Sequence, residues 1–253
     1  MIKGLYAAAS AMLANLSRQN DITHNLANID TPGFRQILST LEDFRDTTVR
    51  TMPDQPLTER PTLIGQLGLG VENAATQSDF AQGPLESTGQ PLDFAIMGAG
   101  FFRVNTPDGE RYTRDGRFLR DAAGTLVTVD GYQVLNAAGA AMTVPDGTVA
   151  AAADGTLTVD GQAIGQLGLA AFTDPKVDLT RDPAAGNLFV AANAPAGTTP
   201  GSVLQGHLEM SNVDAAQAMT QMVAVGRAYE AAQRLVQAND TLLGQSIQSL
   251  GTW

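Results

Sequence analysis

Residues 123–161 read AGTLVTVDGYQVLNAAGAAMTVPDGTVAAAADGTLTVDG. Short runs of Leu, Val and Thr alternate in this stretch with glycine-containing turns, a pattern typical of short antiparallel strands joined by hairpins. Similar turn dipeptides recur every six to eight residues across the middle of the chain, at Asp108-Gly109, Asp115-Gly116, Ala123-Gly124, Asp130-Gly131, Ala138-Gly139, Asp146-Gly147, Asp154-Gly155 and Asp160-Gly161. The pattern predicts a β-rich region. Its two similar copies, 123–131 and 153–161, are too few to define a solenoid.

The C-terminal stretch 212–250 has a helical period instead. Ser211 and Asp214 have the spacing of a capping box at its start. Apolar side chains recur every seven residues with a second set at the companion position, which predicts a coiled-coil register but also fits a core helix of a globular domain. The first set is Met222, Tyr229, Val236, Leu243 and Leu250, and the second is Val225, Ala232, Asn239 and Ser246.

Residues 1–28 predict a second amphipathic helix with a narrower apolar stripe. The stripe consists of Ile2, Leu5, Ala9, Met12, Leu16 and Leu26. Turn chemistry follows, because Pro32 biases Thr31 away from helix and Gly33 tolerates positive φ. Asn25 and Asn28 either cap this helix end or form hydrogen bonds between subunits, and both interpretations stay open.

The fold class expected from these patterns is α+β, with N- and C-terminal helices that pair as a coiled coil and a β-rich domain of short antiparallel strands between them. We expect a helix and turn at 1–36, an extended linker at 37–80, the β-rich domain at 81–204 and a helix at 205–253. Prolines at positions 53, 56 and 61 support the linker assignment.

The net charge of −11 is unevenly distributed, because residues 1–36 carry +1 and residues 205–253 carry −2, which leaves −10 for the middle. A nucleic-acid or anionic-membrane partner calls for a basic stripe, so neither is expected. No apolar run is long enough for a membrane span. Ala7-Ala8-Ala9 after Lys3 superficially resembles a secretory signal, but the helical pattern continues beyond it.

Catalytic, metal-binding and cofactor-binding sites are not expected. The chain has no cysteine, and His24 and His207 lack the spacing of a metal pair or of a nucleophile and its base. A strand pattern follows Gly98-Ala99-Gly100, unlike the helix that follows a phosphate loop. An alternative from another class is a peptidoglycan-acting enzyme, which needs two apposed carboxylates from groups such as Asp93, Asp115 and Asp121.

Three stretches resemble one protein family. They are Leu5–Met12 with Asn25-Leu26-Ala27-Asn28 and Thr31-Pro32-Gly33-Phe34-Arg35, then Pro91–Val104 with Tyr112–Gly116, and finally 205–214 with Arg227-Ala228-Tyr229-Glu230. Together they resemble the signatures of the flagellar rod and hook proteins. Within that family the chain looks most similar to the distal-rod type, with the proximal-rod type close.

The resemblance implies a structural subunit of the bacterial flagellar rod, located in the basal body, that catalyses nothing. It also implies unfolded passage through the flagellar export apparatus, helical self-assembly, contact with other rod and hook subunits, and terminal segments that become ordered on assembly. We expect assembly contacts at Leu5, Met12, Leu16, Asn25, Leu26, Asn28, Met222, Tyr229, Val236, Leu243 and Leu250. Alternatives are a proximal-rod or hook-type subunit, the enzyme, or a secreted adhesin with coiled-coil ends.

Overall fold

The computed structural model describes residues 2–43, 47–50, 63–68, 70–183, 186–195 and 201–250. The helices in these ranges are α1 (Ile2–Ala27), α2 (Pro175–Asp178) and α3 (Ala215–Leu250). The strands are β1 (Ile37–Leu38), β2 (Leu41–Asp43), β3 (Thr47–Arg50), β4 (Leu63–Leu67), β5 (Val71–Asn73), β6 (Gln77–Ser78), β7 (Leu85–Ser87), β8 (Phe94–Met97), β9 (Phe101–Thr106), β10 (Gly109–Thr113), β11 (Phe118–Arg120), β12 (Leu126–Thr128), β13 (Gln133–Val134), β14 (Val149–Ala151), β15 (Thr156–Val159), β16 (Gln162–Gln166), β17 (Leu169–Ala170), β18 (Leu179–Arg181), β19 (Phe189–Ala191), β20 (Ser202–Gln205) and β21 (His207–Glu209).

The chain divides into two compact units. The first comprises Met1–His24, Leu38–Thr76 and Ala216–Trp253, and the second comprises Asn25–Ile37 and Gln77–Ala215. The helix, β-rich middle and helix expected from the sequence are therefore confirmed as an α+β fold. The structure also adds a detail, because the residues that follow α1 and those that precede α3 belong to the β-rich second unit.

An antiparallel sheet forms the centre of the second unit, with the strand order β11-β12-β13-β9-β10-β19-β18 and β17 also paired to β9. Successive side chains of a strand point to opposite faces. Along β9, Phe102 and Val104 join one buried cluster, while Phe101 joins another with Tyr112 and Phe189. β9 is therefore apolar on both faces where it begins, since Phe101 and Phe102 enter different cores.

Hairpin turns occur where the glycine dipeptides predict them, at Asp108-Gly109, Ala123-Gly124, Asp130-Gly131, Asp154-Gly155 and Asp160-Gly161. Asp115-Gly116 serves another purpose. A Cβ at Gly116 would overlap the Phe94 carbonyl oxygen, so this glycine allows close backbone approach. The two similar sequence copies place β12 and β15 in different sheets, although Leu126 and Leu157 share one core.

In the first unit, the segment expected as a linker carries short paired strands, β2 with β5 and β3 with β4. The prolines at 53, 56 and 61, on which that expectation depends, lie outside the described residues. The capping-box prediction needs correction. Helix α3 begins at Ala215, so Ser211 lies outside the cap position, and its hydroxyl accepts the Val213 amide instead (3.3 Å).

Candidate assembly surface

The predicted seam is the least exposed side of helix α3. Ala218, Val225 and Ala232 are buried. The predicted seam residues Met222, Tyr229, Val236 and Leu243 are half-buried, and the side chain of Leu250 lies outside the described residues. Alternating three- and four-residue steps therefore define one covered face, which fits both a coiled-coil register and a core helix.

Other large apolar side chains on α3 face solvent. Each is more than half exposed, and sequence reasoning did not select them because they lie beside the heptad seam rather than within it: Met219, Val223, Leu235, Leu242 and Ile247. Leu235 and Leu242 are one heptad apart, so they occupy the same helical position. In the heptad register Met219, Val223 and Ile247 lie on one side of the seam, and Leu235 and Leu242 lie on the other. We call these five residues together the α3 apolar flank.

Helix α1 also has an exposed apolar stripe. Tyr6 is 67% exposed, Leu13 is 69% exposed and Leu16 is 45% exposed, and with Ala9 they follow three- and four-residue spacing. Of the predicted assembly residues, Leu16 lies in this α1 apolar stripe, whereas Leu5 and Met12 are half-buried. The exposed stripe is therefore rotated from the predicted one.

A different side of α1 has a partner within the first unit. The Val71 amide donates to Ser10 Oγ (3.2 Å), and Asn73 Nδ2 donates to Ser17 Oγ (2.8 Å). These two serines are one heptad apart and both contact β5. Gly70 has φ +147°, and a Cβ there would overlap the Ser10 hydroxyl, so a glycine lets the strand approach the helix.

The asparagines after α1 make local hydrogen bonds within the second unit. Asn25 is buried; its Nδ2 donates to the Ile37 carbonyl and its Oδ1 accepts the Ile37 amide, both at 2.8 Å. Asn28 Oδ1 accepts from the Thr31 hydroxyl (3.2 Å), and Leu26 is half-buried. The Asn25 side chain thus pairs with the Ile37 backbone as a neighbouring strand would, and it holds the segment after the turn beside the end of α1. As predicted, Gly33 has positive φ (+70°).

A buried charge cluster joins the two terminal sequence signatures. Glu209 Oε1 lies 2.7 Å from Arg35 Nη2, and Glu209 Oε2 accepts from Arg114 Nη1 at 2.8 Å. The side chains of Arg35 and Glu209 are fully buried. Two cations share one carboxylate, so backbone carbonyls supply further acceptors: Ala81 for Arg35, and Ile96 and Gly98 for Arg114.

Burial controls the electrostatics of this cluster. The pKa of Arg114 is lowered to about 10, mainly by desolvation and also by the charge of Arg35, against the opposing effect of Glu209. Burial also lowers the pKa of Arg181 to about 10. Arg181 lies over the Phe34 ring at 4.7 Å and donates to the Arg35 carbonyl (2.6 Å). Sequence reasoning missed this cluster because Arg35, Arg114 and Glu209 are far apart along the chain.

The three carboxylates named for the enzyme alternative each have a structural partner. Asp93 accepts from the Thr88 hydroxyl, Asp115 binds Arg117, and Asp121 accepts backbone amides of its own turn. His207 Nδ1 lies 2.9 Å from the Gln205 carbonyl. Within the described residues there is no group of three potential metal ligands, and no helix is long and apolar enough to cross a membrane.

Three family models match the chain. "Flagella basal body rod protein" matches residues 5–35, "Flagellar hook protein FlgE/F/G D1 domain" matches residues 95–163, and "Flagellar basal body rod FlgEFG protein C-terminal" matches residues 204–249. The first and third contain the two signatures that Arg35 and Glu209 connect.

Full-length relatives agree. The chain is 34% identical to the flagellar basal-body rod protein FlgG of Borreliella burgdorferi, with coverage of 96% of this chain and 97% of the relative. It is 32% identical to FlgG of Bacillus subtilis, with 98% of each covered. The chain belongs to the flagellar basal-body rod protein family. The rod protein FlgF of Rhizobium meliloti is also similar, at 35% identity with 99% of each chain covered.

Membership in the flagellar rod family identifies the chain as a structural subunit of the rod, located in the flagellar basal body. It is FlgG-like, and FlgF is close. This family is a structural one, so the comparisons give no support to the peptidoglycan-acting enzyme.

Proposed function

We propose that this rod subunit polymerises as a helical homopolymer through α1 and α3, which pair as coiled coils in an inner tube beneath the β-rich units. The observation that carries the proposal is the α1 apolar stripe together with the α3 apolar flank. Each long helix keeps one side packed and leaves large apolar side chains exposed elsewhere: one stripe on α1, and both sides of the seam on α3. Exposed apolar surface of this kind is typical of interaction sites.

The energies favour several neighbours per subunit over a single partner. Burying one large apolar side chain contributes about 1.5–3 kcal/mol. Association of two proteins costs about 4–15 kcal/mol in lost translational and rotational freedom. One stripe of three such side chains barely offsets that cost. A subunit that uses both helices against different neighbours gains enough, which supports a polymer rather than an isolated pair.

The predicted assembly residues take two roles in this proposal. Leu16 lies in the exposed α1 stripe and contacts neighbouring subunits directly. Met222, Tyr229, Val236 and Leu243 are half-buried, so they hold the seam of α3 and complete their burial when a neighbouring helix packs beside it. Leu5 and Met12 do the same on α1. The terminal helices then gain order on assembly, as in coupled folding and binding.

The proposal extends to the other partners of the rod. The chain passes unfolded through the flagellar export apparatus, adds at the growing tip, and contacts other rod and hook subunits at the two ends of its own segment. The distal-rod position is the one we favour, because FlgG proteins are prominent among its relatives. In that position the polymer transmits torque from the motor to the hook.

The test compares Leu13→Asp and Leu235→Asp with the wild-type chain. Each places a charge in an exposed apolar stripe, so the concentration needed for tubular polymers, seen by electron microscopy, rises at least about tenfold. Circular dichroism of the monomer stays unchanged because both sites are exposed. Leu119→Asp is the matched control, since Leu119 is also more than half exposed but lies on β11. Unchanged assembly of both stripe variants, or an equal defect in the control, contradicts the proposal.

A further inference from the structure

The chain passes between the two units at four places, after residues 24, 37, 76 and 215. Each passage has a residue of the second unit at or within three positions of it. These residues are Asn25, Gln36, Ile37, Asp79 and Asn212, and they are joined by hydrogen bonds. We call this group the clasp.

Asn25 joins the first passage to the second. Its carboxamide makes two hydrogen bonds of 2.8 Å to the backbone of Ile37, one as donor and one as acceptor. The side chain is only 3% exposed, so water does not replace these bonds easily. A buried amide with both functions satisfied fixes the two segments in one geometry.

Asn212 joins the second, third and fourth passages. Its Oδ1 accepts the Gln36 amide (2.7 Å), and its Nδ2 donates to the Asp79 carbonyl (2.9 Å). The Asp79 amide in turn donates to the Gln36 carbonyl (2.8 Å). Gln36, Asp79 and Asn212 therefore form a closed ring of hydrogen bonds, and Ile37 extends it to Asn25.

The clasp lies beside the buried charge cluster. Arg35 immediately precedes Gln36 and pairs with Glu209, three residues before Asn212. Arg35 Nη1 and Asn212 Nδ2 both donate to the Ala81 carbonyl (2.7 and 3.1 Å). The same two chain segments are thus held by an ion pair and by two hydrogen bonds to one shared carbonyl, one from a charged guanidinium and one from a neutral amide.

We infer that the clasp is a mechanical joint. It holds the four points at which the chain leaves the β-rich unit at fixed mutual positions, so that force on the helices acts on all four together. Asn25 and Asn212 are its positioning residues. The inference rests on the proposed assembly through the helices, since only an assembled rod applies such force.

Hydrogen exchange of the full-length monomer tests whether the clasp acts as one unit. The reporter is the Asp79 amide, whose acceptor is a backbone carbonyl that neither substitution removes. In Asn25→Ala and in Asn212→Ala we expect this amide to exchange at least about tenfold faster. The Leu126 amide, bonded to Met142 in the core, keeps its wild-type rate. An unchanged Asp79 rate, or equal acceleration at Leu126, overturns the inference.

The matched controls are Asn15→Ala and Asn239→Ala. Each of these side chains donates to a carbonyl four residues earlier in its own helix. We expect both variants to leave the Asp79 rate unchanged. Acceleration in these controls equal to that in the clasp variants also overturns the inference, because the effect then does not depend on the clasp.

Swimming under load tests the joint in an assembled rod. In the source bacterium, the gene for this subunit is replaced by each of the four variants in turn, and the wild-type chain is reintroduced in the same way as the reference. We expect cells with clasp variants to form filaments in normal number. At high viscosity we expect them to swim at about half the wild-type speed or less. Full speed at high viscosity, or absent filaments, overturns a role in transmission. Failure of the wild-type chain to polymerise instead contradicts the proposed function and leaves the exchange result standing.

Discussion

Glu209 shows how one residue can connect two distant parts of a chain. Its carboxylate lies between Arg35, which follows the turn after α1, and Arg114, which follows β10. The backbone joins the same two segments, because the Gly33 amide donates to the Glu209 carbonyl (2.6 Å). A Cβ on Gly33 would overlap the backbone of Arg114 and Asp115. The N-terminal signature therefore fits here only with glycine at 33 and a carboxylate at 209.

Glu209→Gln tests this connection. Removal of one partner from a buried ion pair typically costs about 3–5 kcal/mol, because the remaining charge stays buried without compensation. Here two guanidinium groups lose their anion. We expect the free energy of unfolding to fall by about that amount, measured as a lower urea midpoint with an unchanged slope.

Glu110→Gln is the control for that measurement. Glu110 pairs with Arg103, but both side chains are partly exposed, at 33% and 21%. Exposed ion pairs contribute about 0–1 kcal/mol, so the control should lie within that range of the wild-type chain. Equal losses in the free energy of unfolding would show that burial does not make the Glu209 pair contribute more than an exposed pair.

At the residue level, sequence reasoning predicted backbone chemistry better than charge pairing. The positive φ of Gly33 could be predicted because a local turn pattern surrounds it. The pairing of Arg35 and Glu209 could not, since it depends on which strands become neighbours. The sequence feature that could have indicated this pair is that Arg35 lies in the N-terminal signature and Glu209 in the C-terminal one.

At the scale of elements, the turn between β15 and β16 carries a strong local constraint. Asp160 and Gly161 both have positive φ, +50° and +83°. This combination defines the two-residue turn whose twist matches a hairpin, and side chains with Cβ atoms tolerate it poorly. The Asp160 carboxylate accepts the Thr148 amide (2.9 Å), which links the turn to the segment before β14.

Gly161→Ala should lower the free energy of unfolding by about 1–2 kcal/mol, the cost of a left-handed conformation for an L-residue. Gly186→Ala is the matched control. At both positions an added Cβ has no described atom within 4 Å, but only Gly161 has positive φ. The control should be neutral or slightly stabilising. Thermal unfolding of both variants gives the comparison, and a loss in Gly186→Ala as large as that in Gly161→Ala would contradict the backbone argument.

The elements themselves were largely predictable, but their surroundings were not. Periodicity gave the two long helices and the hairpins because those depend on neighbours in sequence. It did not give the exposed side of α1, because contacts within the fold decide which side is covered: Ala8, Ala14 and Ile22 are buried, and Ser10 and Ser17 accept hydrogen bonds from β5. The strands between 37 and 80 were missed since proline content dominated the pattern there.

At the scale of the whole molecule, charge is separated from apolar contact surface. The helical ends carry +1 and −2, whereas the middle carries −10. In a polymer built on the helices, the acidic units of neighbouring subunits repel one another while the apolar stripes attract. This arrangement favours association through the helices over association through the β-rich units.

Assembly should therefore become easier as salt screens the acidic units. The screening length falls from about 30 Å at 0.01 M salt to about 10 Å at 0.1 M. Over that range we expect the critical concentration for polymers, measured by sedimentation, to fall. A variant carrying Asp108→Asn and Asp130→Asn, both exposed in the β-rich unit, should depend less on salt. If salt instead dissolves the polymers, ion pairs between subunits dominate the assembly, and the apolar stripes are secondary.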